Sequence, residues 1–88
     1  GFGFAKTLEQ NYFILRNLNH FQVLSLPLMV GISRKSMISK ALGIEAGQAL
    51  NGTTALNMFA LCHGANILRV HDVREANETI KIYNTLYP

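Results

Sequence analysis

The apolar positions of this chain change period several times, and each change marks an element. Leu8, Tyr12, Leu15 and Leu18 recur at helical spacing, and Phe13, Ile14 and Phe21 widen the stripe. Thr7 with Gln10 three residues on forms a capping box, so a helix is predicted from about Leu8 to about Phe21. So broad a stripe calls for burial on more than one side. Asn17-Leu18-Asn19-His20 is weakly helical and should end or fray the element. From Leu26 to Ile32 the period disappears into a nearly continuous apolar run, which reads as a parallel strand over Leu28 to Ile32 with helices covering both faces. Ser36 can cap a short helix through Leu42, with Gly43 as a left-handed stop. Ile44 to Gly47 is a connection. Gln48 to His63 then reads as a helix closed by Gly64. Its Ala49, Gly52, Thr53, Ala55, Ala60 and Cys62 are small enough for another backbone to pack close, while Leu50, Leu56, Met58, Phe59 and Leu61 fill a core. A second strand is predicted over Asn66 to His71. Asp72 with Glu75 then suits a capping box for a last helix from Val73 to about Leu86, whose stripe is Val73, Ala76, Ile80 and Tyr83.

Alternating strands and helices of these lengths predict an α/β fold with a parallel sheet. Two strands cannot bury the helices around them, and a complete (β/α)8 barrel needs about 250 residues. Residues 1–88 are therefore expected to form the C-terminal part of one (β/α)8 TIM barrel domain, two parallel strands with flanking helices. Composition agrees: 49% hydrophobic against 15% charged residues excludes a disordered tail and is apolar for a free-standing domain of this size. The isolated segment is expected neither to fold well alone nor to be active.

The net charge is +3, but the cations are dispersed, and the only adjacent pair is Arg34-Lys35. A clustered basic face with interleaved aromatics is lacking, which argues against a nucleic-acid partner and leaves a small anionic ligand. Cys62 is the single cysteine, so an internal disulfide is excluded and a small core residue in a reducing cytoplasm is expected. The longest apolar run is too short to span a bilayer, so no membrane partner is expected.

Candidate chemistry collects where the strands end. Ser33, Arg34, Lys35 and Ser36 follow the first strand directly. Cations beside a helix N-terminus oppose its dipole unless an anion lies between them. On the second strand, side-chain alternation places Ile67, Arg69 and His71 on one face, with Leu68 and Val70 on the other. Two basic groups on one side of a strand tip are costly to desolvate without an anion. That anion is a ligand or a carboxylate such as Asp72. Gly1-Phe2-Gly3-Phe4 reads as a loop presenting two rings, either to an aromatic ligand or to the end of the core.

Three stretches together, Gly1-Phe2-Gly3-Phe4-Ala5-Lys6-Thr7-Leu8, Gly31-Ile32-Ser33-Arg34-Lys35-Ser36 and Ile67-Leu68-Arg69-Val70-His71-Asp72-Val73-Arg74-Glu75, resemble the C-terminal part of dihydropteroate synthase. Their order and separation match, and the resemblance covers essentially the whole chain. It implies a barrel enzyme of folate biosynthesis that condenses 7,8-dihydropterin-6-ylmethyl diphosphate with 4-aminobenzoate, releases pyrophosphate, uses Mg²⁺ held outside this segment and forms a homodimer. Sulfonamides would compete for the aminobenzoate site. By position, Lys35 and Arg69 would bind the pterin, Arg69 and His71 the diphosphate, and Phe4, Ser33 and Lys35 the aminobenzoate. Arg34 and Phe2 would lie beside the site. No protein nucleophile is required, because the amine of aminobenzoate attacks. Ala5 stands where the family has glycine, and the Asp-Pro that precedes Gly1 in the family pattern is not in this sequence. The alternatives are a related pterin-binding barrel, such as a folate-dependent methyltransferase, and a non-enzymatic fragment.

Overall fold

The structure, a computed structural model, describes residues 7–88. Helix α1 (Leu8–Arg16) starts at the expected box: Thr7 Oγ1 accepts from the Gln10 N–H at 3.1 Å and Gln10 Oε1 accepts from the Thr7 N–H at 2.9 Å. It ends earlier than the apolar stripe suggests. At Asn17 the side-chain amide donates to the Phe13 carbonyl at 2.9 Å, competing with helical continuation. A 3₁₀ segment over Leu18–Leu24 follows and keeps Leu18 buried while Phe13 and Phe21 face outward.

Strand β1 (Met29–Val30) pairs in parallel with β2 (Ile67–Leu68), Met29 opposite Ile67 and Val30 opposite Leu68. Helix α2 (Ser36–Leu42) and helix α3 (Leu50–Cys62), separated by a 3₁₀ turn over Ala46–Gln48, form the crossover between them. Helix α4 (Val73–Leu86) returns along α3. Gly43 closes α2 at φ +67°, as expected of a left-handed stop. Ser36 is the first residue of α2 rather than its cap; Lys35 occupies the cap position and its side chain makes no capping bond to the helix.

Both strands are shorter than their apolar runs because each has a single neighbour within this chain. One face of the pair is covered: Val30 and Ile32 join Leu15, Leu18, Met37, Ile38 and Ala60 in the core. The other face is open, with Met29 59% and Ile67 50% exposed. The expectation that helices bury both faces is thus corrected, and the reason is geometric. In a closed barrel this second face is the inside, packed by side chains from the remaining strands.

Two further expectations fail. Cys62 is exposed rather than a core residue, and Val73 at the head of α4 is 61% exposed. The buried line on α4 is Ala76 and Thr79, the latter able to enter because its hydroxyl donates to the Glu75 carbonyl at 2.8 Å. The small-residue face of α3 admits side chains of α2 rather than its backbone. A Cβ on Gly52 would lie 2.5 Å from Cγ2 of the β-branched, fully buried Ile38 on α2. Gly52→Ala in the whole protein is therefore expected to cost about 1–3 kcal/mol by overpacking, read as a lowered midpoint of urea unfolding with unchanged slope.

Candidate functional site

The main-chain ladder runs out at Arg69, whose N–H donates to the Val30 carbonyl at 2.9 Å. Beyond that point side chains hold the two strand ends together. The chain turns sharply after Ile32, closed by Lys35 N–H to Ile32 O at 3.1 Å. Arg34 occupies the turn with φ +54°, a left-handed conformation uncommon outside glycine. Two contacts hold it there. Its N–H donates to Thr53 Oγ1 on α3 at 3.1 Å, and its guanidinium grips both carboxylate oxygens of Asp72, Nε to Oδ2 at 3.0 Å and Nη2 to Oδ1 at 2.5 Å. Asp72 precedes α4 as its cap residue but makes no side-chain capping bond, so the capping box expected with Glu75 does not form. The carboxylate serves Arg34 instead.

The carboxylate partner that the sequence left open therefore exists, but it satisfies Arg34 and not Arg69. The hydrogen bond from Arg34 holds the Asp72 carboxyl below the usual carboxylate range, and the same bond raises the Arg34 guanidinium. The Arg34 guanidinium is committed to Asp72 and acts as one half of a clasp between two loops.

Its neighbours are left facing a common cleft of about 470 Å³, lined by Gly31, Ser33, Arg34, Lys35, Arg69, Val70 and His71. Gly31 sits beside the stem of Arg69: a Cβ there would lie 3.6 Å from the Arg69 Cβ. Among the described residues Arg69 forms no ion pair with a carboxylate. Lys35 is half-buried, and desolvation, followed by repulsion from Arg69, lowers its ammonium pKa. Such a lysine disfavours its charged form in the folded protein; the cost is present at neutral pH and vanishes as pH rises past its ordinary value. An anion between Lys35 and Arg69 would relieve it. His71 completes the set, held through Nδ1, which lies 2.9 Å from Ser33 Oγ.

Of the residues singled out from sequence, Lys35, Arg69 and His71 are thus brought together, with Ser33 at the base of the cleft and Arg34 on its rim. Phe2 and Phe4 lie outside the described residues. Asp72 and Thr53 were not foreseen in their roles. No cleft-lining side chain is a carboxylate, and the described residues hold no group of three or more His, Cys, Asp or Glu suited to a metal. The cleft fits a multivalent anion beside a planar group, because a guanidinium can both stack and donate two parallel hydrogen bonds. It does not fit a bare divalent cation.

The sequence profile of a family described as pterin binding enzyme matches residues 1–71. The chain belongs to that family. It is 45% identical over 82 residues to the dihydropteroate synthase of Escherichia coli K12, a match covering 93% of this chain and 29% of that protein. Among solved structures, a Yersinia pestis dihydropteroate synthase in complex with a sulfonamide drug superimposes with a TM-score of 0.94 at 42% identity, over 98% of this chain and 31% of that one. A Clostridium difficile dihydropteroate synthase determined in the presence of pteroic acid gives 0.95 at 40% identity, over 99% and 33%. The chain spans about 30% of the length of these relatives. Its fold is accordingly that of a segment of a TIM-barrel enzyme. Among the described residues no helix is long and apolar enough to cross a membrane.

Proposed function

We propose that this chain is the C-terminal segment of a dihydropteroate synthase and contributes the cationic wall of its active site. The observation that carries the reading is the convergence of Lys35, Arg69 and His71 on one cleft that no carboxylate lines. The dihydropteroate synthase relatives bound to a sulfonamide and to pteroic acid support it.

In the proposed reaction the amine nitrogen of 4-aminobenzoate attacks the methylene carbon on the pterin ring. The bond from that carbon to the diphosphate oxygen breaks, pyrophosphate leaves with the electron pair, and the amine loses a proton. Negative charge grows on the departing oxygen, and donors fixed in advance stabilise it. Arg69 lies over the pterin face and reaches the diphosphate. His71 donates to the diphosphate. Lys35 hydrogen-bonds the pterin and shapes the aminobenzoate pocket, which Ser33 and Phe4 border. Mg²⁺ would offset charge on the diphosphate; since the cleft wall here is cationic and neutral, its ligands are assigned to the part of the enzyme outside this chain. A homodimer in the cytoplasm belongs to the same proposal.

The test is direct. The whole protein, given pterin diphosphate, Mg²⁺ and 4-aminobenzoate, should release pyrophosphate and form dihydropteroate, with sulfonamides competing against 4-aminobenzoate. Absence of product would overturn the reading, and pterin binding that ignores 4-aminobenzoate would transfer it to a methyltransferase-like barrel.

A further inference from the structure

Ser33 is only 5% exposed, yet it stands where the two strand ends meet the cleft. Its Oγ accepts from the main-chain N–H of His71 at 3.2 Å and lies 2.9 Å from Nδ1 of the same residue. Among the described residues Oγ has no other partner, and Nε2 of His71 has none. These facts constrain the imidazole. A serine hydroxyl carries one proton and two lone pairs. One lone pair is already committed to the His71 N–H. With a neutral ring, the hydroxyl proton can be used only by Nδ1, which must then be the acceptor; the ring proton sits on Nε2. The opposite tautomer would leave a buried O–H with no acceptor among the described residues, which is unfavourable. With a protonated ring, Nδ1–H donates to the second lone pair of Oγ, and Nε2 again carries a proton. In both charge states His71 presents a donor at Nε2. A histidine without that partner would populate both tautomers, and one of them sets a lone pair against whatever anion is bound.

We propose that Ser33 is a positioning residue that holds His71 as a permanent Nε2–H donor for the diphosphate oxygens. The inference rests on the diphosphate reading of the cleft for its ligand, though not for the tautomer.

Two measurements on the whole enzyme test it. First, ¹⁵N shifts of the His71 ring in the wild type at a pH where the imidazole is neutral should be those of the Nε2-protonated form. Second, Ser33→Ala should raise the Kd for inorganic pyrophosphate roughly tenfold, about the worth of one charge-assisted hydrogen bond. Binding of the 6-hydroxymethyl dihydropterin, which carries no phosphate, should stay within about twofold, a selectivity that general disruption of the fold would not produce. An Nδ1-protonated ring in the wild type, or unchanged pyrophosphate affinity in the variant, overturns the proposal. Failure of the wild type to bind pyrophosphate overturns the diphosphate assignment and the ligand named here, while the spectrum still decides the tautomer on its own. The spectrum also decides should Ser33→Ala not fold.

Discussion

Arg69→Ala in the whole enzyme is expected to weaken binding of the pterin diphosphate by one to two orders of magnitude, and Arg69→Lys is expected to recover little of the loss. Arg69 directly follows β2, two residues after the exposed Ile67, and its N–H makes the last ladder bond to Val30. The backbone beneath it is therefore fixed. Beside it Gly31 presents no side chain, so the aliphatic stem passes across β1 and the guanidinium reaches the cleft. No carboxylate of the described residues neutralises it. A charged hydrogen bond is worth about 1.5–3 kcal/mol, which is roughly ten- to 150-fold in affinity. Lysine restores charge but neither the plane that stacks on a heteroaromatic ring nor the paired donors. Titration calorimetry with pyrophosphate and with the phosphate-free pterin separates the two contributions, and both should fall. A variant that binds both ligands as the wild type does would remove Arg69 from the site.

Much of this arrangement could be read from residues in order, and the boundary of legibility is physical. Local rules worked where only local interactions act. The Thr7–Gln10 box opens α1. Gly43 ends α2 in the left-handed region. Arg69 and His71 do meet on one cleft, although regular strand ends at Leu68, and Val70, expected on the opposite face, lines it too. Local rules failed where a distant group offered a better bond. Asp72 and Glu75 have capping-box spacing, yet a guanidinium 38 residues away presents two parallel donors, which outmatch one main-chain N–H. The hydroxyl of Ser33 likewise meets His71 across the same separation, a contact that no local rule supplies. The exposure of Met29 and Ile67 has another origin. Hydropathy reports which positions the complete barrel can cover, whereas this segment supplies only two strands and the helices on one side of them.

The clasp between Arg34 and Asp72 yields the second large effect. Neither residue contacts ligand in the proposed site, but each adjoins one that does: Lys35 follows Arg34, and His71 precedes Asp72. Removing either partner frees the left-handed turn at Arg34 from the loop ahead of α4, so Lys35 and His71 lose their fixed separation. Displacement of catalytic groups by about an ångström can cost on the order of 100-fold in rate. Arg34→Ala and Asp72→Ala should each lower kcat/KM by roughly ten- to 100-fold. The double variant should be no worse than the poorer single one, because both changes undo a single interaction. Additive losses would mean that the two residues act independently and would end the clasp reading. Acid provides a separate check. The Asp72 carboxyl sits below its ordinary value, so the stability it contributes is complete above the unfolded carboxylate pKa and is lost only as pH falls through the depressed folded value. Wild-type enzyme should therefore keep the clasp through the pH range where free carboxylates protonate. In Arg34→Ala the Asp72 ¹³C carboxyl titration should move up toward that ordinary range, and an unchanged midpoint would show that the guanidinium is not what holds the charge.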